Sequence, residues 1–323
     1  MKLTTVAVDT AVGPVRRVVV VGDDELLDVT TGYAHLLDRE GEATPVKVAE
    51  TLAPADMLTF LRRGDRAMDA AREVAAEIPE SDAETGPNGG QLTYDPEAVE
   101  HLAPLPRPNS LRDFMAFEEH VENAMGEVPD IWYELPVYYK SNPDTVVGPD
   151  VTVEWPDYSD MMDFELEIAA VIGKGGVDID AADAHDHIAG YMIFDDFSAR
   201  DMQGREMDGR LGPAKGKDFA NAQGPYLVTT DSFDPDNAHA TAEVDGEVWS
   251  EGNVGEMYHS FADIIEHVSQ SEPLHPGDVL GSGTVGTGCG LELGRFLEDG
   301  NTVSLSVDGL GTLENRVVKD SEQ

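Results

Sequence analysis

A mixed α/β, strand-rich fold in two parts is predicted by three features of this 323-residue sequence. Strand-like alternation recurs through the chain, and no regular βαβ alternation accompanies it. A stretch with three prolines, LAPLPRPNS (102–110), separates two different textures. We therefore expect a small N-terminal domain with β structure over 1–108 and a larger domain over 109–323.

Residues 1–35 read as strands and turns, with VRRVVVVG and ELLDV flanking Gly22-Asp23-Asp24 as a hairpin. From Pro54 to Ile78 the apolar spacing becomes helical (Met57, Leu58, Leu61, then Met68, Ala71, Val74, Ala75). Residues 79–98, acidic and rich in Gly, Pro and Asn, read as loop. Beyond the boundary, PVYYKSNPDTVVGPDVTVEWP, FELEIAAVIG, IAGYMIFDDF, PYLVTT, AEVDGEVWSEG and TVSLSVDGLGTLENRVV alternate as strands do, and MYHSFADIIEHVSQ is helical. LRDFMAFEEHVENAM (111–125) has helical apolar spacing at Phe114, Phe117, Val121 and Met125. On such a helix Asp113 and His120, two turns apart, share one side.

Composition excludes several functions. With 64 Asp plus Glu against 21 Lys plus Arg, the formal charge is −43, which repels nucleic acid and anionic membranes. No apolar run reaches the roughly 18 residues of a membrane span. The N-terminus lacks the order of a signal peptide. Cys289 is the only cysteine, so no disulfide forms within the chain and a reducing cytoplasm is the expected home. The acidic excess and scarcity of lysine (seven, against fourteen arginines) point to the salt-rich cytoplasm of a halophile.

MDFELEIAAVIG (161–172) poses a physical problem. As a strand, it puts Phe164, Leu166, Ile168 and Ala170 on one face, and Asp163, Glu165 and Glu167 on the other, ahead of Ala169 and Val171. Same-face neighbours sit roughly 7 Å apart, so their carboxylates repel. Solvation on an acidic surface is one resolution. A hard divalent cation between them is the other, since Glu165, Glu167 and Asp196 offer oxygen ligands suited to Mg²⁺, Ca²⁺ or Mn²⁺ and not to zinc.

MIFDDFSARDMQGRE (192–206) ends an apolar strand in two aspartates, with Arg200 and Gln203 just beyond. Residues 109–323 hold only eleven basic side chains against 44 acidic ones, yet Arg200, Arg205, Arg210, Lys215 and Lys217 fall within 18 residues. That concentration predicts an anion site. Other motifs are weaker. GSGTVG (281–286) matches a dinucleotide fingerprint but is not followed by a helix start, GKGG (173–176) is no P-loop, and His185 with His187 sits on an expected surface helix.

Taken together, D-x6-H at 113–120, LPVYYKSNP at 135–143, DFELE at 163–167, DDFSARDMQ at 195–203, LGPAKGKDF at 211–219 and GSGT at 281–284 resemble the fumarylacetoacetate hydrolase family over about residues 105–320. The resemblance implies a β-roll catalytic domain behind a small N-terminal β-containing domain, usually in a homodimer. It implies a divalent metal on Glu165, Glu167 and Asp196 (not Asp195), with Asp113 as fourth carboxylate. His120 then matches the base and Glu292 the residue that orients it. Arg200, Gln203 and Lys217 match catalytic, substrate and oxyanion contacts, and Tyr139 and Thr284 match substrate-binding residues. Met115 stands where a substrate-contacting tyrosine is expected, and the segment from Gly283 to Glu292 is short for a true fumarylacetoacetase. The implied reaction is metal-dependent C–C hydrolysis of a β-diketo acid, an acylpyruvate or fumarylacetoacetate, by His-activated water. The alternative is a hydratase, dehydratase or isomerase of a 2-oxo acid, such as a 2-keto-3-deoxy sugar acid.

Overall fold

A computed structural model describes residues 1–319. Its spine is a 12-stranded mixed sheet, and a five-stranded sheet packs near it. The N-terminal strand Lys2–Val8 joins the larger sheet directly, pairing antiparallel with Asn221–Thr229 (Leu3 opposite Leu227) as well as with Val15–Val21. Strands from both sides of residue 108 thus share one sheet. Val15–Val21 and Leu26–Asp28 form the expected hairpin.

The helical reading of 54–78 resolves into Met57–Leu61 and Asp65–Glu77. Two further helices, Val29–Arg39 and Pro45–Leu52, complete the N-terminal part, the first beginning where strands and turns were expected. Asp28 explains that start: its side chain accepts the backbone N–H of Thr31 as an N-cap, switching the chain from strand to helix within one residue. Phe261–Ser269 is helical as read, with a capping box between Ser260 and Asp263.

Leu166–Ile172 is a wall between two cores. Leu166, Ile168, Ala170 and Ile172 face the core that includes the five-stranded sheet. Ala169 and Val171 face a second core built with the N-terminal helices. Both faces are buried, which is why the segment is apolar on both sides after Glu167. The acidic end of the strand lies in the interior too: Glu165 is 4 % and Glu167 0 % exposed. The solvated-surface resolution of the repulsion is thereby excluded.

The segment 111–125 is a correction. Ser110–Phe114 is a strand, and only Glu118–Met125 is helix. Asp113 therefore projects from a strand and His120 from a helix, so a shared helical side is not what relates them. Ser110–Phe114 pairs parallel with Asp278–Gly281, which puts Asp113 opposite Gly281, and antiparallel with Tyr138–Ser141, which puts Asp113 opposite Tyr139.

Candidate active site

Three segments of the chain bring Asp113, Glu165, Glu167 and Asp196 together. One carboxylate oxygen from each lies within 4.8 Å of the others, and all four residues are buried. Glu167 sits opposite Phe194 and Leu166 opposite Asp195, so strand Ile188–Asp196 delivers Asp196 beside the glutamates. Its neighbour Asp195 points elsewhere and accepts the backbone N–H of Glu165. The GSGT loop closes the cluster. A Cβ on Gly281 would meet an Asp113 oxygen at 2.5 Å, and one on Gly283 (φ +77°) would meet the Phe114 carbonyl at 2.3 Å. The N–H of Gly283 donates to Glu167 at 3.1 Å. These glycines serve close packing, not a dinucleotide.

Charge balance decides what this cluster needs. Two unit charges 4 Å apart interact by about 4 kcal/mol even at an effective dielectric constant of about 20. Two cations reach the quartet. Lys217, 2 % exposed, donates to Glu165 and to Asp196. The guanidinium of Arg200 meets Asp163 (2.7 Å) and Glu165 (2.8 Å) and donates to the Gln203 side-chain oxygen (3.0 Å). Burial raises the Glu165 carboxyl, but Lys217 and Arg200 outweigh it and hold the group well below the usual carboxylate range. Burial and then Asp196 drive Asp113 upward, and burial and then Asp113 do the same to Glu167. Burial leaves Asp196 at about 6 even with Lys217 opposing it. Asp113 Oδ1, Glu167 Oε1 and Asp196 Oδ1 have no hydrogen-bond partner. Buried, mutually repelling, partly orphaned hard oxygens are the donor set of a divalent cation, so these residues fit one.

His120 lines the same cavity, of about 340 Å³, as Asp113, Glu165, Glu167, Arg200, Gln203, Lys217, Tyr139 and Thr284. Its Nδ1 lies 3.1 Å from Oε2 of Glu292, whose side chain is fully buried. Asn123, one turn on in the same helix, donates to the other Glu292 oxygen (3.1 Å), as does the backbone N–H of Thr287 (3.0 Å). Burial pushes the Glu292 carboxyl up, and the contact with His120 with the other donors brings it net below its ordinary value. Tyr139 donates to Asp196, and Thr284 Oγ1 is buried without a partner.

Two residues escaped the sequence reading. Asp163 accepts Gly290 N–H (2.7 Å) and Leu291 N–H (3.0 Å) at the start of the short helix carrying Glu292, while pairing with Arg200. It ties the segment carrying Glu292, the carboxylate beside His120, to the quartet, and DFELE contained it. Asn123 had no sequence signal beyond its place three residues after His120. The basic cluster is corrected: Arg200 and Lys217 enter the site, whereas Arg205, Arg210 and Lys215 are exposed. His187 is buried against the Lys174 carbonyl (2.7 Å) and His185 is exposed, so they make no chelating pair.

Residues 110–318 match the family model described as fumarylacetoacetate (FAA) hydrolase C-terminal. The chain belongs to the fumarylacetoacetate hydrolase family. It is 29 % identical to oxaloacetate tautomerase YisK of Bacillus subtilis (strain 168) over 303 residues, covering 92 % of this chain and 94 % of that protein. It is 34 % identical to the human mitochondrial oxaloacetate tautomerase FAHD2A over 269 residues, covering 82 % and 80 %. The structure of 5-carboxymethyl-2-hydroxymuconate delta-isomerase from Mycobacterium smegmatis superposes with a TM-score of 0.67 at 26 % identity, covering 100 % of each chain. Isomerase and tautomerase relatives fit the family's alternative chemistry at least as well as hydrolysis. Among the described residues no helix is long and apolar enough to cross a membrane.

Proposed function

We propose that this enzyme catalyses proton transfer at the carbon next to the keto group of a small 2-oxo acid, interconverting keto and enol or shifting a double bond. The observation that carries the reading is one cavity lined both by Asp113, Glu165 and Glu167 of the carboxylate quartet and by a histidine backed by a buried carboxylate. A divalent cation (Mg²⁺, Ca²⁺ or Mn²⁺) on Asp113, Glu165, Glu167 and Asp196 supplies Lewis acidity toward the 2-oxo acid oxygens. Glu292 favours the proton on His120 Nδ1, which leaves Nε2 as the base. Nε2 takes the proton from C3, the C–H electron pair becomes the C2–C3 double bond, and negative charge moves to the C2 oxygen. Gln203, whose oxygen is held by Arg200, has its amide N–H₂ available to that oxygen, and Lys217 lines the same cavity. Donors placed this way contribute about 3 kcal/mol each in other oxyanion sites. Arg200 is committed to Asp163, Glu165 and Gln203, so it acts by positioning. Beyond this polar floor, Met115, Ala124, Met125, Met207, Pro213 and Leu291 form an apolar wall suited to the remainder of the substrate.

C–C hydrolysis of an acylpyruvate is the second reading. The His120–Glu292 pair favours it, because the same Nε2 can deprotonate water as well as carbon. The two are separated by incubating the Mg²⁺-loaded enzyme with oxaloacetate, acylpyruvates and 2-keto-3-deoxy sugar acids. Accelerated loss of enol absorbance with conserved carbon skeleton is the expected result; two acid products from an acylpyruvate would transfer the assignment to hydrolysis.

A further inference from the structure

A second group of potential metal ligands lies behind the base, apart from the quartet. His120 Nδ1, Cys289 Sγ and one Glu292 oxygen lie within 4.8 Å of one another. Nδ1 is 3.1 Å and Sγ 3.4 Å from the same Glu292 oxygen, Oε2. Tetrahedral zinc with bonds of about 2.0–2.3 Å sets its ligand atoms about 3.3–3.8 Å apart, so the two measured edges are near the required span. His120 is 6 % exposed, and its Nδ1, although close to Oε2, is not aligned in a hydrogen bond. The buried ring nitrogen therefore faces the same carboxylate oxygen as Sγ without a well-aligned hydrogen bond. Imidazole, thiolate and a single carboxylate oxygen select a borderline metal, whereas four hard carboxylates select Mg²⁺ or Ca²⁺.

We propose that His120, Cys289 and Glu292 form an inhibitory site for Zn²⁺ or a similar thiophilic divalent ion. Of the three ligands only His120 lines the cavity, with Cys289 and Glu292 behind it, so the ion would enter past the His120 ring and cavity water would complete the coordination. The Cys289 thiol proton is released to solvent as the S–Zn bond forms. The imidazole coordinates through Nδ1, so the proton formerly on that nitrogen moves to Nε2. The ring stays neutral, but Nε2 now carries a hydrogen and has no lone pair for catalysis. Zinc thus removes the base while the carboxylate quartet keeps its own cation. The site follows from the ligand geometry; its inhibitory effect rests on His120 being the base, which both proposed reactions share.

The test uses the full chain saturated with Mg²⁺, together with Cys289→Ser and Cys289→Ala. Neither variant alters the quartet or the base, and the hydroxyl introduced by Cys289→Ser retains a donor toward Glu292. Substoichiometric Co²⁺ should give the wild type a near-ultraviolet thiolate-to-cobalt absorption that both variants lack. This spectrum requires no turnover and ignores ions scattered over the acidic surface. In activity assays with Mg²⁺ in excess, the zinc concentration for half inhibition should rise at least tenfold in both variants. Absence of the band, equal zinc sensitivity in all three proteins, or a band without inhibition would each overturn the proposal. Failure of every 2-oxo acid to react, with the band present, would instead strike the proposed function.

Discussion

Two acidic regions of this protein contrast: the solvated surface and the buried quartet. Asp157 and Glu256 belong to the first and are exposed, as are most of the carboxylates that make up the charge of −43. Asp113, Glu165, Glu167 and Asp196 belong to the second. Residue type is the same and the physics is opposite. On the surface water screens each charge, and a neighbour about a Debye length away hardly matters. In the interior each charge is partnered, protonated or offered to a cation. Acidity at the surface is a property of the total; in the quartet it is a property of individual oxygens.

The largest effect should come from the quartet. Glu167→Gln or Asp196→Asn should abolish turnover and divalent-ion binding while the thermal melt stays cooperative in high salt. Full activity in chelator would remove the site from the mechanism.

Next is the base. His120→Ala should lower kcat by about 10²–10⁴-fold, the usual span for a general base, with ion binding at the quartet unchanged. Rates like the wild type's on every 2-oxo and β-diketo acid would show that His120 has no part in the chemistry.

The third prediction concerns pH. Without a divalent ion, folded Asp113 and Glu167 titrate above the usual carboxylate range and Asp196 at about 6. Unfolded carboxyls titrate near about 4. Between these values the folded state holds more protons than the unfolded state, so stability falls as pH rises from about 4 through 6. Glu165 shifts the other way; its contribution is complete above its unfolded value and leaves that trend unaltered. Melts in chelator and molar KCl should show the decline, and Glu167→Gln should flatten it. Mg²⁺ at a hundred times its Kd should restore about 2.7 kcal/mol, most fully at the higher pH. A chelator melt that rises over this interval would contradict the buried, protonated quartet.

The smallest effects per residue belong to the surface. Melting temperature should climb from low salt to molar KCl, where the Debye length is about 3 Å, while Asp157→Asn alone changes stability by less than about 0.5 kcal/mol. Melts indifferent to salt would remove the halophile reading.

Much of the site was legible because it consists of local strings. DFELE, DDFSARDMQ and GPAKGKD are contiguous strings, so spacing put forward their carboxylates and cations, and the family resemblance the strings carry nominated Glu165, Glu167, Asp196, Arg200, Gln203 and Lys217. The strand hairpin and the helices between Pro54 and Ile78 were legible for the same reason, since periodicity reports which face an element buries. Val29–Arg39 was not, because its start depends on one cap, Asp28, within an apolar run that alternation alone assigns to strand.

Sequence by itself determined composition, the nomination of ligands and base, and the family resemblance. Tertiary structure decided whether the two glutamates face water or protein, because that depends on the Ile188–Asp196 strand and the GSGT loop packed against them. It decided that Asp113 reaches the quartet from a strand, since apolar spacing at Phe114 and Phe117 fits either state until partners at Gly281 and Tyr139 supply ladder hydrogen bonds. It also decided that only Arg200 and Lys217, of five clustered cations, turn inward. Charge sets what is attracted, but burial, which no short segment encodes, sets which charges must answer one another.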